Sequence, residues 1–262
     1  MTVMAALLRL EDLTHHFDGL CAVADFSWEV APGELVGLIG PNGAGKTTLF
    51  NLITGVLPVR QGRIFFGSED ITRWPSHRIT AAGIARTFQN IRLFKELTVL
   101  DNLRLGAFAR HGYTVWQALG YSRKFRQEEK KWLTQAWELL ERLNLSRYAE
   151  ALARNLPYGE QRKVEIARAL MGGPRLLLLD EPAAGMNEAE SQELISLIKE
   201  VQQDFGLTII LIEHQMRVVM NLCHRVKVLD FGVTIAEGSP QEIQRHPAVL
   251  EAYLGKDGSL LD

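Results

Sequence analysis

Three stretches of the chain are apolar over several consecutive positions and stop at glycine or at an ionisable side chain. They are Leu35 to Ile39 before Gly40, Leu176 to Leu179 before Asp180 and Glu181, and Leu207 to Ile212 ahead of His214. Runs of this length bounded by turn residues read as fully buried strands of a parallel sheet. A different pattern covers residues 22–30, where Ala22, Ala24, Phe26, Trp28 and Val30 alternate with more polar neighbours, as in a strand with one buried face. LLRLEDL (7–13), QGRIFF (61–66) and IARTFQ (84–89) read as further strands, and RVKVLDFGVTIAEG (225–238) as a hairpin over Asp230, Phe231 and Gly232. HHFDG (15–19) and Pro32-Gly33 read as turns.

Helical spacing appears elsewhere. Thr48, Leu49, Phe50, Leu52 and Ile53 begin a helix that Gly55 can end; residues 75–83, 159–171 and 188–204 form others, and two short helices precede a loose end at 255–262. Between about 92 and 157 no strand pattern appears. Thr98 can cap a helix there, and Trp132, Leu133, Ala136, Leu139, Leu140 and Leu143 recur at helical spacing. The prediction is a single α/β domain over 1–262: an α/β core from 1–91 and 158–262, and an all-helical subdomain at 92–157.

Composition narrows the class. The 262 residues are 47% hydrophobic and 23% charged, with a formal net charge of −2, which gives no electrostatic case for nucleic acid. Cys21 and Cys223 have no metal-ligand spacing and fit a reducing compartment. The N-terminal apolar run is too short for a signal peptide, and nothing approaches the ~20 apolar residues of a membrane span. Arg123, Lys124, Arg126, Lys130 and Lys131 around Glu128 and Glu129 read as a solvated helix face.

The chemistry begins at Gly40-Pro41-Asn42-Gly43-Ala44-Gly45-Lys46-Thr47-Thr48, between a buried strand and a helix. This is the strand–GxxxxGK[ST]–helix order of a phosphate-binding loop. The glycines let successive N–H groups face one anion, helped by the helix dipole. Lys46 is expected to reach the β- and γ-phosphates and Thr47 to ligate Mg²⁺, so the chain is read as binding ATP or another nucleoside triphosphate. Ligands of parallel α/β sheets gather beyond the carboxyl ends of the strands. Gln89, Asp180, Glu181 and His214 all end strands and are expected there: Asp180 holding Mg²⁺, Glu181 activating water and His214 bonding the γ-phosphate. Phe17 taken alone reads as a core or hairpin aromatic.

These residues resemble the ATP-binding subunits of ABC transporters along essentially the whole chain. The likeness rests on GPNGAGKT (40–47), Gln89, LPYGEQRKVEIARAL (156–170), LLLLDE (176–181) and His214. It implies a P-loop NTPase core of RecA-like type, with an N-terminal antiparallel β subdomain and the helical insertion. It also implies Phe17 stacked on adenine, Gln89 as a further Mg²⁺ ligand, and Lys46, Gln89, Glu181 and His214 as catalytic residues. A nucleotide is expected between two subunits, the second contributing the N–H groups of Tyr158, Gly159 and Glu160. Two departures stand out: LPYGE (156–160) where the family commonly has LSGGQ, and AGMN (184–187) where SALD is usual.

Both departures, with ARTFQNIRLFKELTVLDNL (85–103), IEHQM (212–216) and HPAVLEAYLG (246–255), resemble the ATPases of branched-chain amino acid importers. That implies a motor on the cytoplasmic side of the cell membrane. Its partners would be a second, different ATPase (a homodimer is the alternative), two transmembrane permease subunits and an external substrate-binding protein, with a permease helix docking at Asn90 to Phe94. ATPases serving urea, amides or lipopolysaccharide, soluble ABC ATPases, and a switch without turnover remain alternatives.

Overall fold

A computed structural model describes residues 6–111 and 123–257. Its central sheet has six strands in the order β10-β9-β3-β8-β7-β6. These are β3 (Leu35–Ile39), β6 (Ile84–Arg86), β7 (Leu176–Asp180), β8 (Thr208–Ile212), β9 (Arg225–Asp230) and β10 (Val233–Gly238). All run parallel except β10, which returns antiparallel along β9.

The apolar runs hide a period of two. Leu35, Ile39, Leu177, Leu179, Ile209, Leu211, Val226 and Val228 belong to one buried cluster. Their alternates Val36, Leu38, Leu176, Leu178, Ile210, Ile212 and Leu229 belong to the other. Each face is covered, so each strand needs apolar residues at both parities. Register then aligns the strand ends: Leu38 of β3 and Asp180 of β7 both pair with Ile212 of β8. Gly40, Glu181 and His214 therefore leave the sheet close to one line.

An antiparallel sheet, β2-β1-β4-β5, closes one face through β1 (Leu8–Phe17), β2 (Leu20–Val30), β4 (Gln61–Phe66) and the short β5 (Glu69–Asp70), an edge strand that hydrophobic patterning did not reveal. β1 corrects the expected turn at 15–19. His15, His16 and Phe17 are strand residues paired with Val23, Cys21 and Leu20, and the turn is Asp18-Gly19 alone. Bulges at Asp12 and Asp25, both at positive φ, are fixed by Ser27 Oγ bonding Asp12 Oδ1 and by Thr14 Oγ1 bonding Asp25 Oδ1. The strand expected over 84–89 ends at Arg86, leaving Gln89 in irregular backbone.

The helices are α1 (Lys46–Ile53), α2 (Ser76–Ala82), α3 (Val99–His111), α4 (Arg123–Arg142), α5 (Tyr158–Leu170), α6 (Glu188–Phe205), α7 (Met216–Leu222), α8 (Pro240–Gln244) and α9 (Pro247–Asp257). Thr98 Oγ1 accepts from Asp101 N at 3.0 Å, the expected capping role. Among the described residues of 92–157 the regular elements are α3, α4 and two single 3-10 turns (Ser146–Tyr148 and Ala153–Asn155), joined by irregular backbone and one isolated bridge, Thr98 to Leu152. Its Val99, Leu103, Trp132, Ala136 and Leu140 share a cluster with Leu177 and Ile209 of the sheet, so the insertion and sheet form one continuous core. Lys130 and Lys131 are exposed, as expected, while the side chains of Arg123, Lys124 and Arg126 lie outside the described residues. Of the loose end expected at 255–262, residues 255–257 instead complete α9, and 258–262 lie outside the described residues.

Candidate active site

The phosphate loop is built against β2 and the β9–β10 hairpin. Gly232 donates to Ala44 O at 3.0 Å, and Ala24 donates to Gly232 O at 2.9 Å. Gly45 sits at φ 103°, and a Cβ there would lie 2.3 Å from Ala22 O. Gly43 also has positive φ, 82°, with open space around it. Gly45→Ala should therefore cost more than about 3 kcal/mol, strain plus a backbone overlap, whereas Gly43→Ala should cost only about 1–2 kcal/mol. Denaturant midpoints of the two variants test this ordering.

α1 starts without a capping side chain or an acidic residue in its first turn. The N–H groups of Lys46, Thr47 and Thr48 consequently lack intrahelical acceptors and face outward with the positive end of the dipole. Lys46 is buried and its Nζ donates to Gly40 O at 2.6 Å and Pro41 O at 2.9 Å. Burial pushes its pKa below 10.5, opposed by the carboxylates of Glu181 and Asp180. An ammonium has a third donor for a phosphate oxygen.

Beyond β7, Gln89 Nε2 donates to Glu181 Oε2 at 2.8 Å, and His214 Nδ1 stands 3.6 Å from the same oxygen. Glu181 adopts φ 46°, unusual for a residue with a side chain, and its N–H is bonded to Ile212 O. The structure thus brings Gln89, Asp180, Glu181, His214 and Lys46 to one end of the sheet. Phe17 lies at the β1–β2 tip, 44% exposed, with the ring of His15 edge-on at 4.7 Å. Ala22 and Val23 of the same hairpin touch Gly45, which places the aromatic beside the loop.

Tyr158, Gly159 and Glu160 are elsewhere. They open α5 against Gly185 and Glu190, not against the phosphate loop of their own chain. Pro157 is the N-cap of α5 and offers no capping side chain, so the first-turn N–H groups are left without intrahelical acceptors. The second departure has a local reason. Asn187 caps α6 in a capping box, accepting from Glu190 N while Glu190 Oε2 accepts from Asn187 N, each at 3.0 Å. Asparagine caps as well as aspartate, so loss of the usual acid leaves the helix start intact.

Two residues escaped sequence reasoning. Arg86 Nη2 donates to Asp180 Oδ2 at 2.7 Å, a nearly buried ion pair, and its Nη1 donates to Asn51 Oδ1 of α1. Glu213, fully buried, accepts from the N–H groups of Ala183, His214 and Gln215 and so ties the His214 loop to the segment after Glu181. Burial pushes the Glu213 carboxyl up, against those backbone bonds. For Arg86 the sequence carried no signal, since the strand was read through to Gln89 and only the structure ends it at Arg86, beside β7. For Glu213 the signal was an acid following an apolar run.

A family model described as "ABC transporter" matches residues 23–184, and one described as "Branched-chain amino acid ATP-binding cassette transporter" matches residues 233–259. The chain is 43% identical over 251 residues to the high-affinity branched-chain amino acid transport ATP-binding protein BraF of Pseudomonas aeruginosa, covering 95% of this chain and 98% of that one. To the protein of the same description called LivG in Escherichia coli it is 41% identical over 250 residues, with the same coverage. The structure of the ADP conformation of MJ1267, an ATP-binding cassette of an ABC transporter, superposes with TM-score 0.84 at 34% identity, covering 96% of this chain and 99% of that one.

Proposed function

Because this chain belongs to the ABC transporter ATPase family, whose members hydrolyse ATP to drive transport, we propose that it powers uptake of branched-chain or other neutral amino acids. The observation that carries the cargo class is identity above 40% to BraF and LivG across 95% of the chain, joined by the family match at 233–259.

In this reading Phe17 stacks on adenine, and residues 40–48 hold the phosphates through main-chain N–H groups and Lys46. The donor set fits Mg²⁺: the Thr47 hydroxyl, the Asp180 carboxylate and the Gln89 side-chain carbonyl are hard oxygen ligands, and the amide nitrogen of Gln89 is the atom spent on Glu181. When bound, Mg²⁺ offsets phosphate charge. Arg86 orients Asp180 by holding one of its oxygens. Glu181 accepts a proton from the attacking water, with Gln89 and His214 fixing its carboxylate. Tyr158, Gly159 and Glu160 serve the nucleotide held by a second ATPase subunit, a reading supported by their neighbours, which include Gly185, Glu190, Arg147 and Lys163 rather than residues 40–48.

No helix among the described residues is long and apolar enough to cross a membrane. Membrane attachment then runs through two permease subunits, one docking near Asn90 to Phe94, with an external substrate-binding protein delivering cargo. Tagging the chain, solubilising native membranes gently and identifying what co-purifies tests this. Two multi-span proteins and a second ATPase are expected; recovery from the soluble fraction with no membrane protein attached contradicts it. Uptake assays on the recovered complex then test the cargo.

A further inference from the structure

Gln89 reaches Glu181 from a stretch that no regular element holds, since β6 ends at Arg86 and α3 begins at Val99. Its support comes from α5. Arg162 is fully buried, a costly place for a guanidinium, and every contact it makes faces that stretch or its own helix. Nη1 donates to Phe88 O at 2.7 Å and to Glu165 Oε2 at 2.7 Å. Nη2 donates to Gln89 O at 2.7 Å and to the Tyr158 hydroxyl oxygen at 3.3 Å. Glu165, 1% exposed, uses its other oxygen to accept from Arg92 N at 3.1 Å, and the Arg92 guanidinium lies 3.9 Å over the Phe88 ring.

We propose that the Arg162–Glu165 pair is a positioning device for hydrolysis, gripping both ends of residues 88–92 so that the Gln89 amide meets the Glu181 carboxylate. The guanidinium suits this because its planar fork addresses two successive carbonyls at once. The main chain of Gln89 is thereby fixed to α5, and its side chain spans the remaining gap to Glu181. Movement of α5 relative to the sheet shifts Gln89 with it. The inference rests on Glu181 as the group that accepts the proton from water.

Replacing Arg162 alone strands a buried carboxylate and risks the fold, so the informative variant exchanges both charges for apolar volume, Arg162→Met with Glu165→Leu. The full chain is compared with this variant, with Gln89→Ala and with all three changes together, reading kcat, KM for ATP and thermal midpoint. Hydrogen exchange at the Arg92 amide reports the grip without any turnover. The pair exchange should lower kcat about 10- to 100-fold with KM and midpoint little changed, since the phosphate loop is untouched. It should also speed exchange at Arg92. Added to Gln89→Ala, it should cost nothing more, because both changes break the same link.

Three results overturn the proposal. The pair exchange could leave kcat and Arg92 exchange as they were. Its loss could multiply with that of Gln89→Ala, which marks a general brace of the fold. Gln89→Ala could leave kcat intact, which removes the step the pair is said to serve, while a silent Glu181→Gln control instead strikes the underlying reading of Glu181.

Discussion

Glu181→Gln should slow ATP hydrolysis by about 10²- to 10⁴-fold while ATP binding persists, because the change removes a proton acceptor and almost nothing else. Glutamine has the same shape, and its side-chain oxygen can still accept from Gln89 Nε2, which stands 2.8 Å from Glu181 Oε2. The phosphate loop contributes through Lys46 and main-chain N–H groups, none of which bonds the Glu181 side chain. The φ of 46° at Glu181 is set by the chain leaving β7, with the N–H held by Ile212 O, and survives the substitution. Single-turnover hydrolysis and equilibrium ATP binding, measured on the same preparation, separate the two effects. Turnover matching the unmodified chain would reassign the base.

Lys46→Met should raise the Kd for ATP by about 10- to 100-fold, the loss of a charge-assisted bond to phosphate from a buried ammonium. A pH series gives a sharper signature. Burial draws the Lys46 pKa below 10.5, with Glu181 and Asp180 pulling it back. The ammonium that attracts phosphate is thus lost at lower pH than for an ordinary lysine, and ATP affinity should fall as pH rises through that lowered value. Folding responds with the opposite sign. Over the window between the lowered value and 10.5 the unfolded chain holds the proton that the folded chain has released, so stability of the protein without ATP rises with pH. The Met variant should lack both limbs. An alkaline limb that persists in Lys46→Met would assign the titration to another group.

The sequence alone determined the elements whose chemistry is contiguous. Residues 40–48 carry loop, cation and helix start within one strand–turn–helix unit, and the runs ending at Asp180 and before His214 marked buried strands whose ends bear polar groups. The helical insertion was legible because its spacing changed from two to 3.6. Local pattern could not divide the apolar runs between two faces, since every position in them is apolar. Only packing assigned Leu177 and Leu179 to one cluster and Leu176 and Leu178 to the other. Nor could it fix the extent of β1, whose His15, His16 and Phe17 look like turn residues and are held as strand by partners on β2.

The site's finer connections belong to the tertiary structure for the same reason. Arg86 meets Asp180, Gln89 meets Glu181, Arg162 meets the carbonyl of Gln89, and Glu213 meets Ala183 across 94, 92, 73 and 30 positions of chain. Each is a polar pair whose partner is brought near by strand order and register, with Leu38 and Asp180 both aligned on Ile212. A buried arginine or glutamate reads in sequence as an ordinary surface charge, because its burial is a property of the packed helices and sheet around it.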